Sequence, residues 1–176
     1  MVKRVRGGGS MTKDQYVAMT TCMRALSNRL PGGVRAFHMP TYLCAAVYIA
    51  ALFHMMLLRD ARLIRALLVP AACFLSVTAL RPMIGKLRPY DRFGAPPVGE
   101  YKPGKGKSMP SRHTASAAAI AIAVAWLYPA WPVAAAMALL CALIAALRVL
   151  CGQHDLSDVL AAVLLSIVIS LIGYMI

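Results

Sequence analysis

Long runs of apolar residues alternate with short polar segments from residue 41 onward. A membrane-spanning helix needs about 20 mostly apolar residues. We expect five such spans, at residues 41–58, 66–80, 111–128, 133–147 and 155–176. Each of the first four ends at an arginine or at a proline. The pattern therefore predicts an all-α protein, a polytopic bundle of membrane helices.

An amphipathic segment precedes these spans, between Thr12 and Leu30. Its apolar residues recur every three or four positions, which places them on one face of a helix: Tyr16, Met19, Met23, Leu26 and Leu30. The segment is too polar to cross a bilayer. We expect residues 11–39 to form an interfacial helix and linker, lying either on the membrane or against the protein itself. Residues 40–176 then form the membrane domain.

The first ten residues contain the sequence GGGS, which is typical of expression linkers. We interpret residues 1–10 as a possible tag or disordered leader and leave them out of the fold prediction.

Two polar segments separate the spans. Residues 81–109 are rich in proline, glycine, lysine and arginine and show no apolar periodicity, so we expect an exposed loop. Residues 148–154 form a second, shorter connection. Because two membrane crossings lie between these segments, both must emerge on the same face, where their polar side chains can converge.

Composition narrows the class of protein. Of the 176 residues, 60% are hydrophobic and 14% charged, which leaves no room for a separate soluble domain. The net charge of +13 favours an anionic partner. The basic residues lie between apolar runs rather than over a soluble surface, so we expect a membrane lipid as the partner and no binding to nucleic acid.

The two polar segments carry arginines, two histidines and one carboxylate, which is the composition of an anion site. Guanidinium groups match phosphate oxygens in pairs and neutralise their charge. Pro110 and Ser111 open a helix, whose free backbone N–H groups favour the same ligand. The candidate residues are Arg81, Arg88, Ser111, His113, Arg148, His154 and Asp158.

His154 and Asp158 are four residues apart at the start of the last predicted span. A carboxylate bonded to one imidazole nitrogen fixes the tautomer and leaves the other nitrogen free as a nucleophile. His113 would then donate the proton that a leaving group requires, because imidazole titrates near neutral pH.

Three blocks of sequence resemble the signature of the type 2 phosphatidic acid phosphatase superfamily, a family of membrane lipid phosphatases. The signature is a basic residue, six positions and Arg-Pro; then Pro-Ser-Gly-His; then Ser-Arg, five positions, His, three positions and Asp. The corresponding blocks here are RPMIGKLRP at 81–89, PSRH at 110–113 and LRVLCGQHDLSD at 147–158. The resemblance covers about residues 41–176 and is most similar to small bacterial members that act on undecaprenyl diphosphate.

The resemblance implies a role for each matching residue. His154 would attack phosphorus to form a phosphohistidine, Asp158 would orient it, and His113 would protonate the leaving group and later activate water. The implied chemistry needs no cofactor and no metal ion. The phosphate would be held by Arg81, Arg88, Ser111 and Arg148.

The implied substrate is a polyprenyl diphosphate such as undecaprenyl diphosphate. Phosphatidate and phosphatidylglycerophosphate are alternatives. A non-catalytic membrane protein that binds anionic lipid would need the same arginines, but it would not need a histidine paired with a carboxylate.

The sequence departs from the signature at three positions. Arg81 replaces the commoner lysine, which keeps the charge and changes the reach. Arg112 replaces glycine, and its side chain either adds a phosphate contact or faces lipid headgroups. Leu147 replaces serine, which removes a hydroxyl, so we expect lower activity. Five further cations are expected to be solvated or to face headgroups: Lys86, Arg92, Lys102, Lys105 and Lys107.

Two arguments about membrane orientation conflict. Most lysines and arginines lie on the side of the candidate site, while Arg59, Arg62 and Arg65 lie opposite, so the positive-inside rule places the site in the cytoplasm. The resemblance implies the periplasmic or outer face. Because several of these cations are site candidates or belong to the possible leader, we expect a bacterial inner-membrane protein whose site faces the periplasm.

Overall fold

The structure is a computed structural model that describes residues 11–103 and 106–176. The possible tag at residues 1–10, together with Lys105, lies outside the described residues. All regular structure in the described part of the chain is helical. Its elements are α1 (Lys13–Arg29), a 3₁₀ helix (Gly33–His38), α2 (Met39–Leu57), α3 (Arg62–Ile84), α4 (Pro89–Phe93), α5 (Arg112–Leu127), α6 (Trp131–Leu150) and α7 (Leu156–Met175).

Four of these helices, α2, α3, α6 and α7, are long and apolar enough to cross a membrane. Helix α5 has 16 residues, which corresponds to about 24 Å at 1.5 Å per residue. It is therefore shorter than the hydrocarbon core of about 30 Å. The predicted all-α polytopic membrane bundle is confirmed.

Helix α5 lies at the centre of the bundle and contacts α2, α3, α6 and α7. Its alanines make this possible, because small side chains let neighbouring backbones approach closely. Ala115, Ala119 and Ala123 are fully buried. Surrounded by other helices on all sides, α5 does not need to meet lipid along its whole length.

The outer helices show the reverse pattern and expose large apolar side chains. Leu139 of α6 and Leu164 of α7 are 73% and 63% exposed, and Leu75 of α3 is 65% exposed. An apolar exterior of this extent is what a bilayer requires. The protein is therefore an integral membrane protein.

The bundle has two distinct ends. At one end the guanidinium of Arg65 donates to the carbonyl of Ile176 at 3.1 Å, and Tyr128 and His54 are hydrogen-bonded at 2.7 Å. The other end, the polar end, carries α1, residues 151–155 and the described residues of the 85–111 segment, which are 85–103 and 106–111. The two predicted polar segments thus lie on the same side of the bundle, as expected.

The second span is longer than predicted. Helix α3 begins at Arg62 and ends at Ile84, so it extends beyond the predicted span at both ends, and Pro70 lies well inside it. The apolar pattern stops at Leu80, but the helix continues to Ile84, and the side chain of Arg81 donates to the carbonyl of Lys107. That bond satisfies a cation that is only 4% exposed.

The prediction of an exposed loop at residues 81–109 is wrong in large part. Pro89 starts the short helix α4, and Tyr90, Val98 and Ser108 are buried. Side chains from inside and outside this segment bind its backbone carbonyls. The hydroxyl of Tyr90 donates to the carbonyl of Lys102 at 3.0 Å, and the amide of Gln153 donates to Val98 and Glu100 at 3.2 and 2.9 Å.

Helix α1 packs on the protein itself, one of the two predicted possibilities. Its buried residues are Tyr16, Thr20, Met23 and Ser27, so the buried face is rotated from the predicted apolar stripe and leaves Leu26 45% exposed. Tyr16 is fully buried, and its hydroxyl lies 3.3 Å from the carbonyls of both Ala95 and Gly152. Helix α1 therefore lies across the polar end of the bundle.

Candidate active site

The end of α6 determines where His154 lies. Gly152 adopts a left-handed conformation (φ 71°) and reverses the chain. The backbone N–H groups of Gln153 and His154 then both donate to the carbonyl of Arg148, at 3.0 and 3.1 Å. This turn places His154 inside the polar end, where it is 4% exposed.

The imidazole of His154 faces the carboxylate of Asp158. Nδ1 of His154 lies 3.4 Å from Oδ2 of Asp158 and 3.4 Å from the hydroxyl of Ser108. Ser108 in turn donates to the same carboxylate oxygen. The carboxylate of Asp158 and the hydroxyl of Ser108, which come from distant parts of the chain, thus both lie beside one nitrogen of the ring.

Burial lowers the pKa of His154 below its usual value of 6.5. The hydrogen bond to Asp158 acts in the opposite direction but is the weaker effect, and the charge of Arg88 adds to the lowering. The ring is therefore neutral at neutral pH, which is the form that can act as a nucleophile.

Asp158 is fully buried in the first turn of α7. Its Oδ2 accepts the backbone N–H of Asp155 at 3.1 Å, and its own N–H donates to the carbonyl of Asp155 at 3.0 Å. Helix α5 is attached at the same point, because the N–H of Ser111 donates to the carbonyl of Asp158 at 3.1 Å. These bonds fix the carboxylate relative to two helices.

Lys86 also binds this carboxylate, so the expectation that it is solvated is wrong. Its ammonium lies 2.5 Å from Oδ1 of Asp158, 3.1 Å from Oδ2 of Asp155 and 2.8 Å from the hydroxyl of Ser157. Arg92 is exposed but pairs with Asp155 at 2.9 Å. Lys102 and Lys107 are exposed, as expected.

The three arginines of the first and third blocks all lie at the polar end. Arg81 binds the carbonyl of Lys107, as described above. Arg88 donates to Oε1 of Gln153 at 3.3 Å, and Nη2 of Arg148 lies 3.5 Å from Nδ1 of His38. Gln153 is not among the predicted site residues, yet its side chain links Arg88 to the 98–100 backbone beside His154.

The second block begins α5. Ser111 is fully buried at the N-cap, and its hydroxyl accepts a hydrogen bond from Thr114 at 3.1 Å. Arg112 and His113 occupy the first turn and are exposed. Both line a groove of about 330 Å³ whose other walls are mainly apolar: Thr41, Cys44, Ala45, Phe74, Ser116, Ala117, Ile120 and Ile144.

Leu147, which replaces the expected serine, packs against a small apolar cluster formed by Met23, Val98 and Cys151. These three residues come from α1, the 85–111 segment and the end of α6. The substitution therefore exchanges a possible hydroxyl contact for an apolar contact that joins α1 to the polar end.

The charges of the site suit an anion. Its carboxylates are already paired with Lys86, Arg92 and Ser108, whereas several guanidinium groups surround them. Within residues 11–103 and 106–176, no group of three or more His, Cys, Asp and Glu side chains is arranged to hold a metal ion.

The sequence profile of the PAP2 superfamily matches residues 62–176, more than half of the chain. The chain belongs to the PAP2 superfamily. The predicted superfamily is therefore confirmed, and the matched region contains all three signature blocks. No curated protein sequence shows a significant match to the chain.

Two solved structures are similar to this one over most of its length. A transmembrane PAP2-type phosphatidylglycerolphosphate phosphatase from Bacillus subtilis is 19% identical, with a TM-score of 0.70, covering 93% of this chain and 84% of its own. LpxE of Aquifex aeolicus is 23% identical, with a TM-score of 0.68, covering 89% of this chain and 94% of its own. At these identities the similarity establishes the membrane PAP2 fold.

Proposed function

We propose that this protein is a membrane lipid phosphate phosphatase that acts through a phosphohistidine on His154. The observation that carries the proposal is the arrangement around that ring. Nδ1 faces Asp158 and Ser108, so Nε2 is the nitrogen left to attack phosphorus. A lipid-binding scaffold has no need of a buried neutral imidazole fixed in this way.

The proposed reaction has two displacements. The lone pair of His154 Nε2 forms a bond to phosphorus as the bond to the leaving oxygen breaks, and that oxygen takes a proton from His113. Water then attacks the phosphohistidine and gives a proton to His113. The nitrogen–phosphorus bond breaks, which releases orthophosphate and restores His154.

The arginines of the polar end would stabilise the charge that accumulates on the phosphoryl oxygens. Arg88 and Arg148 are the candidates for direct contact. Arg88 donates to the side chain of Gln153, next to His154, and the backbone carbonyl of Arg148 accepts the N–H of His154. Arg81 and the buried Ser111 are expected to contribute through charge and helix-end N–H groups. The proposed chemistry is independent of metal ions.

The groove beside Arg112 and His113 supports a lipid substrate. Its walls are mostly apolar, and it begins at the residue proposed to protonate the leaving group. A hydrocarbon chain lying there would bring its phosphate to the first turn of α5. Arg112, at the mouth of the groove, is placed to meet a phosphate or a headgroup.

We propose a polyprenyl diphosphate as the preferred substrate, with phosphatidylglycerophosphate as the alternative. The alternative is favoured by the similar fold of the Bacillus subtilis enzyme that carries that name. The orientation we propose is a bacterial inner membrane with the site facing the periplasm. Lys86 and Arg92, which form ion pairs with Asp158 and Asp155, are poor evidence for a cytoplasmic location.

A panel of substrates tests the proposal. Purified protein in detergent, with excess chelator, should release phosphate from at least one of three lipids: a polyprenyl diphosphate, phosphatidate or phosphatidylglycerophosphate. The His154→Ala variant should release none while keeping the wild-type helical content. Equal release by the variant, or none from any lipid by the wild type, would overturn the proposed function.

A further inference from the structure

Lys86 and Ser108 contact the carboxylate proposed to orient His154, although neither belongs to the matched signature positions. Lys86 lies 2.5 Å from Oδ1 of Asp158, and Ser108 donates to Oδ2. Each of the two carboxylate oxygens thus has one of these side chains as a partner. Neither contact has a role in the reaction proposed for His154, His113 and the arginines.

The backbone explains why these two side chains meet. The N–H of Ser108 donates to the carbonyl of Lys86 at 2.9 Å, so two stretches about twenty residues apart run next to each other. Gly106 allows this approach, since a Cβ added there would lie 3.3 Å from the Gly85 carbonyl oxygen. Paired backbones then present both side chains to Asp158.

We propose that Lys86, together with Ser108, is a positioning residue that acts on His154 through Asp158. This inference rests on the proposed function of His154 as the nucleophile. Lys86 fixes the rotamer of the carboxylate and compensates its charge. Ser108 bridges that carboxylate to Nδ1 of His154, from which its hydroxyl is 3.4 Å away.

Charge compensation has a chemical consequence for the nucleophile. An uncompensated carboxylate beside an imidazole favours the protonated ring, which cannot attack phosphorus. An ammonium on the far oxygen of that carboxylate reduces this effect. Lys86 therefore widens the pH range in which His154 is neutral while leaving the hydrogen-bond geometry intact.

Other groups around His154 also influence its protonation, and none of them replaces Lys86. Most are cations that disfavour a charged ring, and they remain in any Lys86 variant. Asp155, the carboxylate next to His154 in the chain, is paired with Arg92 as well as with Lys86. The charged or titratable groups that act on the His154 ring are Asp158 from α7, Arg81 from α3, Arg88 from the 85–111 segment and His113 from α5. Asp155, the N-cap of α7, adjoins His154 in the chain, and the carbonyl of Arg148 from α6 accepts its backbone N–H.

The test compares the Lys86→Met, Lys86→Arg and Lys102→Met variants. Lys102 is the matched control, because it is exposed, belongs to the same segment and pairs only with the exposed Glu100. In Lys86→Met we expect kcat to fall about tenfold or more with KM unchanged, because a misplaced nucleophile loses rate rather than binding. We also expect the apparent pKa on the acidic limb of the kcat/KM pH profile to rise by about one unit.

The conservative variant Lys86→Arg should recover most of the rate and return the acidic limb toward that of the wild type. Lys102→Met should match the wild type in both. A Lys86→Met variant that equals Lys102→Met would overturn the proposal. A rise in KM alone would also overturn it, because Lys86 would then bind substrate directly.

A second variant covers the case in which Lys86→Met does not fold. Ser108→Ala removes one hydroxyl and should also lower kcat at constant KM, with the acidic limb shifted upward. Wild-type kinetics in Ser108→Ala would contradict the proposal.

Nuclear magnetic resonance gives a readout that needs no substrate. The chain has four histidines, so ring ¹⁵N labelling yields few signals, and His154→Asn assigns the relevant one. The His154 pKa should rise in Lys86→Met and stay unchanged in Lys102→Met. If the wild type hydrolyses no lipid phosphate, the proposed function fails, while this titration still decides whether Lys86 controls His154.

Discussion

Replacing Gly152 with alanine should release α1 from the polar end of the bundle. A Cβ at this position would lie 2.6 Å from the hydroxyl oxygen of Tyr16 and 2.8 Å from Cγ2 of Thr20, closer than real contacts allow. Tyr16 cannot move aside easily, because it is fully buried and its ring packs on Phe93 at a centroid distance of 5.2 Å.

The expected cost follows from two contributions. The left-handed conformation at residue 152 costs an alanine about 1–2 kcal/mol. Overpacking against Tyr16 and Thr20 adds about 1–3 kcal/mol. The free energy of opening α1 should therefore fall by about 2–5 kcal/mol in Gly152→Ala, which increases the open population about 30- to 5000-fold.

Thiol labelling of Cys151 measures this opening. Cys151 is buried beside Met23 of α1, so it should react only when α1 moves away. Peptide mass spectrometry separates its labelling from that of the exposed Cys22. We expect much faster labelling in Gly152→Ala and reduced phosphatase activity, because residue 152 sets the turn before His154.

A double-mutant cycle with Tyr16→Ala separates the two contributions. Removing the ring alone should cost about 3–5 kcal/mol of docking free energy. In its absence Gly152→Ala should cost the backbone contribution and the remaining overpacking against Thr20, so the double variant falls short of additivity by up to about 1–3 kcal/mol. Labelling of Cys151 at the wild-type rate in Gly152→Ala, or full additivity, would refute the packing of α1 against this turn.

Three further predictions concern the site and its environment. The acidic limb of kcat/KM should lie below pH 6.5, because burial lowers the pKa of His154 and the ring stays neutral until the pH falls through that lower value; a limb above 6.5 would contradict this. Orthovanadate should inhibit phosphate release and excess chelator should not, since phosphorus is attacked by nitrogen; a strict Mg²⁺ requirement would contradict this. A maleimide that cannot cross the inner membrane should label Cys22 in whole bacterial cells, because Cys22 is exposed on α1 and α1 lies at the polar end, which we propose faces the periplasm. Labelling only after lysis would place the site in the cytoplasm.

The spans could be predicted from the sequence because bilayer insertion depends on local composition. Apolar runs marked α2, α5, α6 and α7 to within a few residues. Helix α3 was predicted too short, because Arg81 ends its apolar run. In the folded protein the side chain of Arg81 is buried and donates to the carbonyl of Lys107, far along the chain. A pattern of neighbouring residues contains no information about such a partner.

The same reason explains which site residues were missed. His154 and Asp158 are four positions apart, so helical geometry predicts their proximity. Lys86, Ser108 and Gln153 reach the site through a backbone pairing and through long-range hydrogen bonds to the 85–111 segment. In the sequence Lys86 lies among glycine and proline residues, as do the exposed Lys102 and Lys107. Only the folded arrangement distinguishes them.

The central claim, that His154 carries the phosphoryl group during turnover, can be tested by trapping the intermediate. His113→Asn keeps the nucleophile but removes the group proposed to activate water, so the phosphoenzyme should accumulate. A lipid diphosphate radiolabelled on its distal phosphate suits this test, because its leaving group needs little help from an acid. We predict an acid-labile, alkali-stable label on the peptide that contains His154. A label on another residue, or full turnover by His154→Ala, would contradict the account.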